Sequence, residues 1–471
     1  MTHASKPVED IPLDILQEIF IRCLPQDAMT HRQPNITITP ILLCHVSSYW
    51  RMVALGIPRL WTDLYHVLRV YAEVPNRTLL SEGIHKGDLN FLSWWKLNIG
   101  TVHLRLRVMV QWVKGNSEFK VGKSDGSLLS LVSAARHLDI DIDFACALRT
   151  HFGGNLPDST LRADTFLLHP GSRGFRDHSN KFPFNMSRDP KLIPYPTDQP
   201  VRRMLLDSIS FKQQDLGVLN WSQLTHLILI DAGLSAPGWS AMIRECGNLE
   251  SGTFRIRGRG SGHNQPVQGD PPSCTLPRLQ QLVVKWDSSN FPHPLFRNLY
   301  LPGLTRLRLA SALTVRELHE LLRSTPSVQE LHLSHSIPAN PDFKSRGLIP
   351  RPSANVDELT VYVPDLEHLV IQLDFTYNKE YEDVSHLLEV LSTTPWLKLG
   401  SGRNAIKRVE LIVEHWESRE ILVEGLKTLN PVIDEVEIIA REDSPWRRDT
   451  DLHLKYSLRE DCFDNFGFGY E

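Results

Sequence analysis

One spacing, apolar-x-x-apolar-x-apolar, recurs along the chain and constrains the fold more than any other feature. It is cleanest at Leu224-Leu227-Leu229 and at Leu304-Leu307-Leu309. Other apolar residues fill it at Val201-Met204-Leu206, Leu279-Leu282-Val284, Val328-Leu331-Leu333 and Leu366-Leu369-Ile371. Ile406-Val409-Leu411 and Ile433-Val436-Ile438 extend the series, and Ala135-Leu138-Ile140 fits as an earlier copy, whereas the region from Trp94 to Trp112 does not register. Where uninterrupted, successive starts lie about 23 to 30 residues apart, the length of a short strand-plus-helix unit.

A helical block supplies an independent check. Val315, Leu318, Leu321 and Leu322 precede Pro326, and Val384, Leu387, Val390 and Leu391 precede Pro395 at one constant offset. A weaker copy runs through Ala236, Trp239, Met242 and Ile243, with Gly247 in the breaker position, then Leu249, Gly252 and Phe254. Each reads as a helix stopped by Pro or Gly and followed by a strand. One such unit cannot cover its own apolar face, so units stack and share a continuous core. The pattern resembles leucine-rich repeats, which implies an α/β solenoid with a curved parallel sheet over 90–440. Segments near 169–200, 257–276 and 336–357 are rich in Pro, Gly, Ser, Asn and charge and read as insertions between units. Residues 441–471 read as a loosely held tail.

The first sixty residues have a different character. Pro12 suits a helix start, and Leu13, Leu16 and Phe20 form a stripe that Ile15 and Ile19 widen. A polar segment follows, and then the run from Pro40 to Leu55 reads as two further short helices, closed by Gly56 and Pro58-Arg59-Leu60-Trp61. So small a unit cannot bury this much apolar surface internally. The run Ile11-Pro12-x-Asp14-Ile15-Leu16-x-x-Ile19-Phe20 resembles the opening of an F-box. Leu42 through Arg51 and Pro58 to Trp61 are similar to the rest of that motif. Ile11 replaces the usual leucine, Asp14 replaces the usual glutamate, and the first connection is longer. The resemblance covers 10–63 and implies an all-α module that docks on a Skp-type adaptor of a cullin ubiquitin ligase. Pro12, Leu13, Ile15, Leu16, Ile19 and Phe20 would form the docking surface, braced by Trp50 and Trp61. Residues 64–89 read as a connecting segment.

Chemistry-bearing motifs are weak. Ser117 to Ser124 approaches a phosphate-binding loop ending in Lys123, but Ser117 stands where the first glycine belongs. Arg255-Ile256-Arg257-Gly258-Arg259-Gly260 is short and lacks interleaved aromatics, so it reads as a solvated loop rather than an RNA contact. His332 and His335 are three apart in an expected strand and face opposite ways, a poor metal pair. Asp139, Asp141 and Asp143 alternate with Ile140 and Ile142, the period of a strand with an exposed charged face. The six cysteines show no metal-ligand or disulfide spacing. A formal net charge of −4 argues against a dedicated nucleic-acid binder. Neither a signal peptide nor an apolar run of membrane-spanning length is evident.

These readings give an intracellular protein of cytoplasm or nucleus, without catalytic residues, cofactor or metal, and with no membrane or nucleic-acid partner. It would join a Skp-type adaptor, and through it a cullin ligase, to an unidentified protein target. The alternative is a leucine-rich-repeat scaffold unrelated to ubiquitin, with the N-terminal helices as a cap.

Overall fold

A computed structural model describes residues 11–24, 40–73, 80–114, 127–145, 163–169, 201–207, 219–234, 236–256, 273–286, 296–310, 321–336, 363, 365–374, 407–413, 423–424 and 435–440. The chain divides into two compact units between Asn220 and Trp221. Both are α/β, and in both the described sheet is dominated by parallel strands.

The first unit opens with helices α1 (Leu13–Arg22), α2 (Ile41–Val46) and α3 (Ser48–Leu55), then a 3-10 turn at Pro58–Trp61. The Pro12 carbonyl accepts from Leu16 N–H at 3.0 Å. Asp14 in the first turn and Arg22 in the last complement the helix dipole. Ser47 is extended, which separates α2 from α3, and its hydroxyl caps α3 by accepting from Trp50 N–H at 3.1 Å. Leu16 and Phe20 turn inward, and the Phe20 ring lies 4.9 Å from that of Trp50.

Strands β1 (Asp63–Glu73), β2 (Leu80–Ile84), β3 (Leu104–Lys114), β4 (Ala135–Asp141), β5 (Thr165–His169) and β6 (Arg203–Asp207) follow, with α4 (Lys86–Ile99) and α5 (Ser127–Ala134) between them. Their order is β2-β1-β3-β4-β5-β6, with β2 antiparallel and the other pairs parallel. Residues 64–89, which read as a connection, carry β1, β2 and the start of α4. The region from Trp94 to Trp112 also joins the pattern: Leu104, Leu106, Val108 and Val110 are buried at period two. Leu106 stands in register with Leu138, Phe166 and Met204 in turn, and Val108 with Ile140, Leu168 and Leu206. At the end of α4, Gly100 takes φ 64°, a conformation that costs glycine least.

The second unit begins with a 3-10 turn at Trp221–Gln223, then β7 (His226–Ala232), α6 (Ala236–Glu245), β8 (Ser251–Ile256), β9 (Cys274–Thr275), β10 (Gln281–Trp286), β11 (Leu299–Tyr300), β12 (Arg306–Ala310), β13 (Glu330–Ser336), β14 (His368–Asp374), β15 (Arg408–Val413) and β16 (Glu435–Ala440). β9 pairs with β11 separately. The others form a parallel sheet ordered β7-β8-β10-β12-β13-β14-β15-β16.

The recurring apolar positions align across this sheet. One ladder runs Leu227, Gly252, Leu282, Leu307, Leu331, Leu369, Val409, Val436, and the next runs Leu229, Phe254, Val284, Leu309, Leu333, Ile371, Leu411, Ile438. Gly252 breaks the first ladder for a reason visible in its surroundings. A Cβ there would lie 2.6 Å from the Phe254 ring, which fills the space and meets Trp239 edge-on at 5.7 Å.

The repeat is also written in the backbone. Thr225, Glu250, Gln280, Thr305, Gln329 and Glu367 each offer one carbonyl to two successive N–H groups of the next unit, such as Gln280 O to Thr305 and Arg306 at 2.9 and 3.0 Å. Side chains vary at these positions while the bonds do not, so the units are structural repeats. Trp239, Met242 and Ile243 of α6 are buried, as are Leu321 and Leu322 of the helical block before Pro326. The second block, 384–395, lies outside the described residues, as do 117–124, 257–260 and 441–471 and most of the expected insertions.

Candidate protein-docking site

The three N-terminal helices have an apolar inside and an apolar outside. Leu16, Phe20, Leu43, Cys44, Val53 and Ala54 are buried. Opposite them Leu13 is 50 %, Ile15 51 %, Ile19 40 % and Met52 62 % exposed, and Leu42 and Val46 are exposed as well. Ile15 and Ile19 are one turn apart on α1, and so are Leu42 and Val46 on α2. Pro12 is exposed at the head of α1.

The residues expected at the docking surface therefore separate into two groups. Pro12, Leu13, Ile15 and Ile19 reach solvent. Leu16, Phe20 and Trp61 are buried, and Trp50 is half-buried against Phe20. Leu42, Val46 and Met52 were not singled out by the sequence. Their signal was available, because α2 is apolar on both sides of its short length.

The support behind these helices is aromatic. Trp61 donates its indole N–H to Ala54 O at 3.0 Å. Its ring meets Trp94 and Trp95 of α4 edge-on at 5.1 and 4.9 Å. At the opposite edge of β1, Asp88 in the first turn of α4 receives the Arg69 backbone N–H at 2.9 Å and the Arg69 guanidinium at 2.7 and 3.1 Å. Burial alone would raise the Asp88 carboxyl, but His66 close by at 3.6 Å and the hydrogen bonds from Arg69 hold it well below the usual carboxylate range.

Chemically, the outer surface of α1–α3 offers apolar contact with little charge. Full burial of a Leu or Ile side chain is worth roughly 1.5–3 kcal/mol, and these half-exposed ones retain about half of that for a partner. The Glu18–Arg22 ion pair beside them is solvent-exposed and adds little.

The sheet faces away from the apolar ladders carry charge, and one expectation fails there. Asp139 and Asp141 do not line an exposed face, because both are buried. β4 is an interior strand, and its carboxylates are satisfied by neighbours. Asp139 lies 3.3 Å from Arg107 and 2.8 Å from His169. Asp141 accepts the backbone N–H groups of Val110 and Phe144 at 2.8 and 2.7 Å. Burial, with Asp143 adding to it, pushes the Asp141 carboxyl well up, against the pull of those two bonds.

On the second unit the same kind of face carries Arg255, Lys285, Arg306, Arg308, His332, His368, Arg408, Glu410 and Glu437, of which Arg255, Arg308, His332 and Glu410 are buried, as are Val370 and Ile412 beside them. Burial lowers Arg308 to about 9, opposed by Glu330. Glu410 is approached by His368 at 3.0 Å and Arg408 at 2.9 Å. Among the described residues no group of three His, Cys, Asp or Glu side chains is placed to hold a metal ion. No described helix is long and apolar enough to cross a membrane.

No protein-family model and no curated protein matches this chain. Among solved structures, the leucine-rich repeat-containing protein LegL7 from Legionella pneumophila aligns with 68 % of this chain and 89 % of its own length. The identity is 13 % and the TM-score 0.25, too slight a likeness to bear on the fold.

Proposed function

We propose that this chain is a non-catalytic adaptor. Helices α1–α3 dock one protein, and the leucine-rich-repeat-like sheet units hold another. The observation that carries the reading is the outward-facing apolar set Leu13, Ile15, Ile19, Leu42, Val46 and Met52. Such residues on small helices, with a second apolar set already buried behind them, suit a surface completed by a partner. Helices serving only as a cap would turn their apolar residues onto the body they close, and these face solvent.

The finer reading takes the first partner to be a Skp-type adaptor and the assembly to be a cullin ubiquitin ligase, with the second partner as its target. The F-box-like spacing from Ile11 to Trp61 supports that choice. The chain would then act by raising the target's effective concentration near a ligase carried by others. A scaffold unrelated to ubiquitin is the second reading, and the seating of Trp61 on α4 favours helices that are an integral part of the first unit.

Co-purification of the full chain with a Skp-type adaptor separates the two. Adaptor binding by the wild type, abolished in Leu13→Ala/Ile15→Ala, is expected of the ligase reading. A folded wild type that retains no adaptor leaves the scaffold.

A further inference from the structure

We draw no further inference here: the strongest candidate, the pair of exposed apolar side chains Leu97 and Val102 on the surface at the C-terminal end of α4, carries none because nothing in the structure shows what covers them.

Discussion

The indole N–H of Trp95 donates to the main-chain carbonyl of Trp61 at 2.9 Å, and the two rings meet at 77°. Trp61 passes its own N–H to Ala54 O, so the helices of the docking surface are seated on α4 through one fully buried side chain. Trp61→Ala should cost about 3–5 kcal/mol in urea denaturation, the range for deleting a buried aromatic. Leu13→Ala and Ile15→Ala, whose side chains are half in water, should each stay within about 1 kcal/mol. A similar loss in all three would show that the outer residues belong to the core.

The aligned ladders make a second prediction. Leu307 is buried between Leu282 and Leu331, and Leu307→Ala should cost about 2–5 kcal/mol. Glycines in this unit should respond according to their space. A Cβ on Gly303 would lie 2.5 Å from the Pro277 carbonyl, and one on Gly247 meets nothing within 4 Å. Gly303→Ala should therefore lower the melting temperature by several degrees, and Gly247→Ala by much less. Equal effects would argue that the packing of neighbouring units is not as tight as Gly303 indicates.

Much of the second unit was legible because its signal is simple: the recurring strand positions align across the sheet, and most of those whose side chains are described are buried. β1 and β3 were harder. Leu64, Leu68, Leu106 and Val108 alternate with Tyr65, Arg69, Arg105 and Arg107, but β1 carries His66 where the second ladder residue belongs, in register with Val108, and β3 has His103 where the introducing apolar residue belongs. Asp139 and Asp141 misled for a physical reason. A carboxylate in a strand is ordinarily solvated, and its burial depends on partners distant in sequence, here Arg107, His169, Val110 and Phe144. On α1, circumferential apolarity announced two destinations for its residues. Which ones faced out was fixed only by the Phe20–Trp50 packing.

A pH dependence follows from His137. Burial lowers its imidazole from 6.5 to about 4, although Asp139 pulls the other way. A histidine harder to protonate when folded leaves the unfolded chain binding more protons below its ordinary pKa. Its contribution is thus fully present above about pH 6.5 and is lost as pH falls toward 4. Thermal melts between pH 7 and 4.5 should decline less steeply for His137→Gln than for the wild type. Parallel profiles would contradict the assignment.

A protein-binding surface on α1–α3 would rest on its outward apolar residues, Leu13 and Ile15 among them. Its most direct measurement is calorimetric titration of a Skp-type adaptor into the full chain and into the folded Leu13→Ala/Ile15→Ala variant. Saturable one-to-one binding is predicted for the wild type, weakened in the variant by roughly 2 kcal/mol or more, about thirtyfold in Kd. Equal heats for both proteins, or no binding by a folded wild type, would contradict it.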